Sequence, residues 1–181
     1  MALSLEAAFS GQQITADLSI SSIPKKELAV IYPPPNHTVI ETGKEYTPDQ
    51  TSEEPVRFEV IGDEASDKLY TLMMIDPDAP SRENPKFRSW MHYLVMNVPV
   101  GQHGYLAHKN GDLIVEYMGP KPPAGTKQHR YIFLLFEQGG KRLTHSKSLA
   151  NNRKSFNLAE FLKQHSLGVP SAGNFFLAQN H

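Results

Sequence analysis

The sequence contains no cysteine, it has no long apolar run, and its positive and negative charges nearly cancel. Without cysteine the chain can form no disulfide, no thiolate nucleophile and no cysteine-ligated metal site. No apolar run approaches the about 20 residues that a membrane-spanning helix needs. A formal charge of −1 over 181 residues argues against direct binding of nucleic acid.

The first residues also lack the features of a targeting segment. Met1–Gly11 contains Glu6 and has no basic region at its start, so we expect no signal peptide and a cytoplasmic protein. A chain of 181 residues predicts a single domain over residues 1–181, with enough sequence to bury a sizeable core.

The most informative stretch is an apolar run followed by an acidic turn. The run Leu69–Ile75 has the length of a buried strand. It stops at Asp76, where two prolines among the next four residues exclude both helix and strand pairing. A second apolar run begins at His92 and continues to Val98. If the two strands are antiparallel neighbours, both acids of the turn and His92 gather at one rim of a sheet.

A second stretch repeats this design. The extended, proline-rich loop Gly119–Gly125 leads into His129–Glu137, an aromatic-rich run with strong strand character. Because strand side chains alternate, His129 and Tyr131 face the same side. A histidine therefore opens a strand after a rigid loop twice in this sequence, and that convergence is the main functional signal.

Three chemistries fit Asp76, Asp78, His92 and His129. The first is an anion and head-group site, because protonated histidine donates from both nitrogens and charge-assisted hydrogen bonds are strong. The second is a site with two histidines and one carboxylate for a transition metal, although each of these residues stands alone rather than in a closely spaced pair. The third is acyl transfer by Ser81, but no Gly-x-Ser-x-Gly elbow is present. We favour the anion site.

Three arginines near these motifs suit structural roles. A guanidinium satisfies several acceptors at once, so Arg82, Arg88 and Arg130 are predicted to brace Asp78 or loop carbonyls.

Outside the motifs, the sequence predicts two helices and a basic loop. A short helix is expected over residues 3–9. A second is expected over residues 157–167, with Asn157 as N-cap, Glu160 completing a capping box, and Phe156 and Phe161 as a hydrophobic staple. The connection Lys141–Lys154 holds five basic residues and no acid. We interpret it as a mobile solvated loop, with contact to acidic partners as the alternative.

Three spaced motifs carry a family resemblance. The stretch from Asp76 to Arg82, followed by Trp90-Met91-His92, resembles the first signature of the phosphatidylethanolamine-binding proteins. The loop Gly119–Gly125 with His129-Arg130-Tyr131 is similar to their second signature, and Val169–Phe176 is a third match. This family includes the Raf kinase inhibitor proteins and the plant flowering regulators. The resemblance covers nearly the whole chain in order.

The resemblance implies a fold and a pocket. The expected fold is mainly β, with a large central antiparallel sheet packed by a smaller sheet, a helix in the C-terminal region and short peripheral helices. A cis peptide bond is expected before Pro80. The residues carried over to the family's anion pocket are Asp76, Pro80, Phe87, Trp90, His92, Gly119, Lys121, His129 and Tyr131.

The implied function is binding rather than catalysis. We expect a non-enzymatic protein whose pocket takes a phosphoryl head group from a phosphatidylethanolamine-type lipid, a nucleotide or a phosphorylated partner, and which regulates signalling. The alternative is an inhibitor or scaffold of a protein kinase or serine protease that acts through the pocket rim. No metal and no cofactor are expected. Because a nearby carboxylate favours the charged imidazole, at least one histidine should have a raised pKa, and a zwitterionic phosphodiester should bind more weakly as pH rises.

The sequence departs from the family pattern in three places. Phe87 stands where many animal members have tyrosine, and Lys121 replaces a small residue beside the phosphate position. The sequence ends at His181, whereas animal members usually continue into a helix that partly covers the pocket. In this respect it resembles the plant members, and we expect no helical lid.

Overall fold

A computed structural model describes residues 4–64, 66–145 and 147–180. Its main feature is a single seven-stranded sheet with the strand order β2-β1-β7-β6-β3-β4-β5. The strands are β1 (Lys26–Ile31), β2 (Arg57–Val60), β3 (Ser66–Asp76), β4 (Trp90–Val100), β5 (Asp112–Val115), β6 (His129–Glu137) and β7 (Ala172–Ala178).

The centre of the sheet brings the two sequence motifs together. Strand β3 pairs antiparallel with β4 on one side and with β6 on the other. Asp76, the last residue of β3, lies opposite Trp90, the first residue of β4. Strand β6 begins with His129 at the same end, since it also runs antiparallel to β3. The predicted gathering of acids and histidines at one rim of the sheet is therefore confirmed.

The smaller sheet of the prediction is the β1–β2 ribbon. This antiparallel ribbon joins β7 through a short parallel pairing of Lys26 with Ala172 and of Glu27 with Gly173. Beyond that junction the sheet curls over its own face. The ring of Phe58 in β2 lies 5.7 Å from that of Phe133 in β6. The ribbon is thus continuous with the large sheet and also packed against it.

Apolar side chains fill both faces of the central strands. One cluster lies under the β1–β2 ribbon, and the other lies under the helices on the opposite face. Neighbouring residues alternate between them: Met74 and Phe133 belong to the first cluster, whereas Met73 and Ile132 belong to the second. Burial on both faces explains why these strands read as continuous apolar runs rather than as alternating patterns.

Within the described ranges, three short α-helices lie at the periphery, α1 (Leu5–Gly11), α2 (Ile14–Leu18) and α3 (Leu158–Gln164). Asn157 caps α3 by accepting a hydrogen bond from the Glu160 amide at 3.0 Å, and the Phe156 and Phe161 rings lie 5.4 Å apart, so the predicted cap and staple are confirmed. The helix ends before residue 167 because Ser166 adopts a left-handed conformation. No helix among the described residues is both long and apolar enough to cross a bilayer.

Candidate functional site

A cavity of about 210 Å³ opens at the rim where β3 ends and β4 and β6 begin. Eight of the nine residues predicted for the pocket line it, namely Asp76, Pro80, Phe87, Trp90, His92, Lys121, His129 and Tyr131. Ala79, Met118 and Pro123 complete the lining and were not predicted. The peptide bond between Ala79 and Pro80 is cis, as expected.

Gly119 is the exception among the predicted pocket residues, because it does not line the cavity. It is buried against the backbone of Ser52, and a Cβ atom at this position would lie 2.7 Å from the Ser52 carbonyl oxygen. The glycine is required for this close approach of two loops rather than for contact with a ligand.

The three predicted arginine braces are present. Arg130 is fully buried and donates to Asp78 from its backbone amide and Nε, both at 2.9 Å, and from Nη2 at 2.5 Å. Arg88 donates from Nε to the Pro77 carbonyl at 2.7 Å, and Arg82 donates to the Gln12 carbonyl at 3.1 Å. Asp78 therefore fixes the rim through its three hydrogen bonds with Arg130.

Both ring nitrogens of His129 have protein partners. Nδ1 lies 2.8 Å from Asp76 Oδ2, and Nε2 lies 3.0 Å from the Thr126 hydroxyl. That hydroxyl also lies 2.7 Å from the Pro123 carbonyl oxygen. A carboxylate only accepts, so Nδ1 is the donor toward Asp76, and the direction of the hydrogen bond between Thr126 and Nε2 follows the tautomer of His129. The sequence predicted that His129 lies in the pocket but not that its nitrogens are occupied.

Thr126, His129 and Asp76 stand in the order of a nucleophile, a base and an orienting acid. In an activated nucleophile the hydroxyl donates its proton to the imidazole. Here the single Thr126 proton has two acceptors within reach, the Pro123 carbonyl at 2.7 Å and His129 Nε2 at 3.0 Å. Asp76 and Thr126 hold the His129 ring between them. Among the described residues, no cluster of three or more histidine and acidic side chains is arranged to hold a metal ion.

His92 has one nitrogen free for a ligand. Its Nδ1 lies 2.7 Å from the Met118 carbonyl oxygen, which only accepts, so this nitrogen carries a proton. No hydrogen bond to Nε2 is made by the part of the chain that the structure describes. Burial lowers the pKa of His92, and the nearby Asp76 carboxylate opposes that effect without overcoming it. His92 is therefore not the histidine with the raised pKa that the sequence predicted for at least one of the pair, because desolvation outweighs the carboxylate.

Tyr131 provides the second free polar group. Its side chain is fully buried, lines the cavity, and lies edge-on to the His92 ring at 5.2 Å. Its hydroxyl is buried and has no hydrogen-bond partner among the described residues. Burial, and next the charge of Asp76, raise the pKa of Tyr131, so the hydroxyl keeps its proton at physiological pH. The site thus contains a proton donor that the described part of the chain does not satisfy.

The mouth of the cavity is cationic and aromatic. Lys154 Nζ lies 4.9 Å from the centre of the Phe87 ring and 6.0 Å from that of the Trp90 ring. Lys86 Nζ lies 5.3 Å from the centre of the Phe87 ring, and the exposed Lys121 also borders the cavity. Lys86 and Lys154 were missed from the sequence because neither belongs to a strand or a motif.

Lys154 reaches the mouth because residues 153–156 run alongside the start of β4. The Met91 amide donates to the Arg153 carbonyl, and the Phe156 amide donates to the Ser89 carbonyl, both at 2.8 Å. The predicted mobile loop over Lys141–Lys154 is therefore wrong at its end, since backbone hydrogen bonds fix that part. Ser146, in the middle of that loop, lies outside the described residues.

Comparison with known proteins identifies the family. The sequence model described as phosphatidylethanolamine-binding protein matches residues 33–176. The chain belongs to the phosphatidylethanolamine-binding protein family. It is also similar to "Putative odorant-binding protein A5" of Drosophila melanogaster, with 38% identity over 157 residues, which cover 84% of this chain and 70% of that protein.

Solved structures of phosphatidylethanolamine-binding proteins and their relatives share the fold. A carboxypeptidase Y inhibitor, solved in complex with its cognate proteinase, superposes with a TM-score of 0.80 at 24% identity, covering 100% of this chain and 97% of the inhibitor. The phosphatidylethanolamine-binding protein of Plasmodium vivax gives a TM-score of 0.72 at 19% identity, covering 96% of both chains. The family and the mainly β fold predicted from the sequence are therefore confirmed.

Proposed function

We propose that this protein binds a small phosphoryl anion in the cavity and acts through binding rather than catalysis. The observation that carries the proposal is the buried hydroxyl of Tyr131, which has no partner among the described residues. Leaving a buried polar group unsatisfied costs about 1–3 kcal/mol, so an acceptor from outside the chain is favoured there. The protonated hydroxyl is a donor and suits a phosphoryl oxygen.

The surroundings of Tyr131 support an anion. His92 lines the same cavity, and its Nε2 becomes a charged donor once the ring is protonated, which its lowered pKa moves to more acidic pH. Lys86, Lys121 and Lys154 place positive charge at the mouth. A volume of about 210 Å³ is below the about 300–1,000 Å³ of pockets for drug-sized ligands. The cavity therefore suits a head group, with any larger part of the ligand left outside.

Two further points favour a binding role. The Thr126 hydroxyl lies closer to the Pro123 carbonyl, at 2.7 Å, than to His129 Nε2, at 3.0 Å, so the side chains that most resemble a catalytic triad have a competing acceptor for the proton of the hydroxyl. The name of the Drosophila melanogaster relative describes binding of a small molecule, and the family is named for binding a phospholipid. Regulation of signalling through such a ligand belongs to this proposal.

The test is calorimetric titration with ethyl phosphate. Replacing Tyr131 by Phe removes one hydrogen bond to a charged group, so affinity should fall about tenfold to a hundredfold, equivalent to about 1.5–3 kcal/mol. Tyr70→Phe is the matched control, because the buried Tyr70 donates its hydroxyl to Asp63 rather than to the cavity. Equal affinity of the wild type and Tyr131→Phe would overturn the proposal.

A second candidate is inhibition of a protease or kinase through the pocket rim. Phe87 and Trp90 are half-buried at the mouth, and aromatic residues of this kind commonly anchor interfaces. The similar fold in a proteinase complex is compatible with this role. Inhibition of carboxypeptidase Y should be measured for the wild type and Trp90→Ala, with and without ethyl phosphate. No inhibition by the wild type, or equal inhibition by both proteins, would contradict a role of the pocket rim in inhibition.

A further inference from the structure

We propose that Lys154 makes the cavity selective for phosphoryl groups that carry no ammonium, against zwitterionic head groups such as phosphoethanolamine. This inference rests on the proposed function and specifies its ligand. It follows from three features of the site: the carboxylates are already engaged, the aromatic faces already hold a cation, and the backbone fixes the position of that cation.

The carboxylates of the site already have partners from the protein. Asp76 accepts the Asp78 amide at 2.7 Å with Oδ1 and contacts His129 at 2.8 Å with Oδ2. Asp78 is fully buried and accepts three hydrogen bonds from Arg130. An ammonium entering the cavity would meet no unengaged carboxylate of the described lining, and it would approach the cationic side chains of that rim.

The aromatic faces at the mouth are occupied by lysine. Aromatic rings attract ammonium groups electrostatically within about 6 Å, and paired rings are a common recognition site for such ligands. At this mouth Lys154 Nζ lies over both the Phe87 and the Trp90 ring, and Lys86 Nζ lies over Phe87. Neither lysine has a carboxylate partner within the described ranges of the chain. A ligand ammonium would have to displace a cation that belongs to the protein.

The backbone of Lys154 is fixed by its neighbour Arg153. The Arg153 guanidinium donates from Nη1 to the Met91 and His92 carbonyls at 3.1 Å each, and from Nη2 to the Glu116 carbonyl at 2.8 Å. These bonds tie the segment to β4 and to the chain that leads into the second motif. The Lys154 side chain therefore starts from a fixed point beside the cavity, so its charge acts on whatever binds there.

The test compares two ligands that differ only in the ammonium. Ethyl phosphate and O-phosphorylethanolamine are titrated by calorimetry at pH 7.5, where both phosphates are mainly dianions because their second pKa is near 6. We expect the wild type to prefer ethyl phosphate by about threefold to tenfold, the size of one exposed charge or cation–π contact. In Lys154→Gln the preference should shrink by a similar factor, because both ligands lose the attraction of the cation for the phosphate and only O-phosphorylethanolamine is relieved of its repulsion.

Two control variants test whether a positive charge at residue 154, rather than the loss of any surface lysine, sets the preference. Lys154→Arg keeps a cation over the rings and should retain the preference. Lys163→Gln removes an exposed lysine of α3 that does not line the cavity and should leave both affinities unchanged. Equal binding of the two ligands by the wild type, or an unchanged preference in Lys154→Gln, would overturn the inference and leave the phosphoryl site intact. If the wild type bound neither ligand, the proposed function itself would fail.

Discussion

The two acids of the first motif have different roles although they are only two residues apart. Asp78 binds the buried Arg130 and fixes the rim. Asp76 contacts His129 and accepts the Asp78 amide. The buried carboxylates of the site are thus paired within the protein, and the neutral Tyr131 hydroxyl has no hydrogen-bond partner among the described residues. When no ligand is bound, the buried charges of such a site still have partners in the protein. Few hydrogen-bond donors then remain for a ligand.

The difference between a hydroxyl without a partner and one with partners predicts opposite effects of two tyrosine substitutions on stability. Tyr131→Phe removes a buried hydroxyl without a partner among the described residues, so the free energy of unfolding of the ligand-free protein should rise by up to about 1–3 kcal/mol. Tyr117→Phe removes a hydroxyl bonded to the Tyr32 hydroxyl and to the Thr51 carbonyl, both at 2.8 Å, so stability should fall by about 1 kcal/mol. Urea denaturation measures both changes. A loss of stability in Tyr131→Phe would mean that its hydroxyl is satisfied in solution.

At the residue scale, the sequence predicted which side chains gather but not which of their atoms remain free. Motif spacing identified Asp76, His92, His129 and Tyr131, because each stands at a strand end or on an inward face of a strand. The occupation of both His129 nitrogens depends on Thr126 and on a carbonyl in the preceding loop. Lys154 reaches the mouth through backbone pairing with a distant strand. Contacts of these kinds carry no sequence pattern of their own.

At the scale of elements, continuous apolar runs predicted the central strands best. The bounds of β6 agree with the predicted run His129–Glu137, because burial on both faces and aromatic residues mark its whole length. The short helix α2 was not predicted. The residue before it, Gln13, adopts a left-handed conformation and provides no side-chain cap, so the sequence lacks the usual signal for a helix start. The parallel contact between β1 and β7 involves two residue pairs. A pairing this short leaves no recognisable pattern in the sequence.

The loop of the second motif depends on Gly119. In Gly119→Ala the new methyl would lie 2.7 Å from the Ser52 carbonyl oxygen, and a backbone atom cannot move aside as a flexible side chain does. We expect a loss of stability of about 1–3 kcal/mol, as for overpacked cores, measured by urea denaturation. Ethyl phosphate should also bind more weakly, because Lys121 and Pro123 of the same loop line the cavity.

Gly11→Ala is the matched control for this substitution. Gly11 is the last residue of α1, and a Cβ there meets no atom within 4 Å, so stability should be unchanged or should rise by up to about 1 kcal/mol. If Gly119→Ala were as stable as the wild type, the two loops would be able to separate freely, and the glycine would have no packing role.

At the scale of the whole molecule, burial of both sheet faces confines the candidate site to the rim of the sheet. The central strands are covered by the β1–β2 ribbon on one side and by helices on the other, so their side chains are committed to packing. Polar side chains can gather only where the strands end, and the cavity lies there. The same burial also perturbs histidines in different parts of the chain. Desolvation is the largest cause of the lowered pKa of His92, His108 and His165.

These lowered values predict that the protein loses stability on mild acidification. In the unfolded chain a histidine takes up a proton near pH 6.5, whereas in the folded protein these three histidines resist protonation until a lower pH. The unfolded state therefore binds more protons below about pH 6.5, and the free energy of unfolding falls as pH decreases through that window. The stability that depends on these histidines being neutral is fully present above about pH 6.5.

His108 offers a sharp test of this linkage. Its Nε2 is buried without a hydrogen-bond partner among the described residues, and the Glu54 carboxylate, 3.8 Å away, does not offset the cost of burial. Urea denaturation at pH 7.5, 6.5 and 5.5 should show falling stability for the wild type and a shallower fall for His108→Gln and for His92→Gln. The double variant should be flatter than either. A free energy of unfolding that rose on acidification would mean that these histidines gain stabilising partners when they are charged.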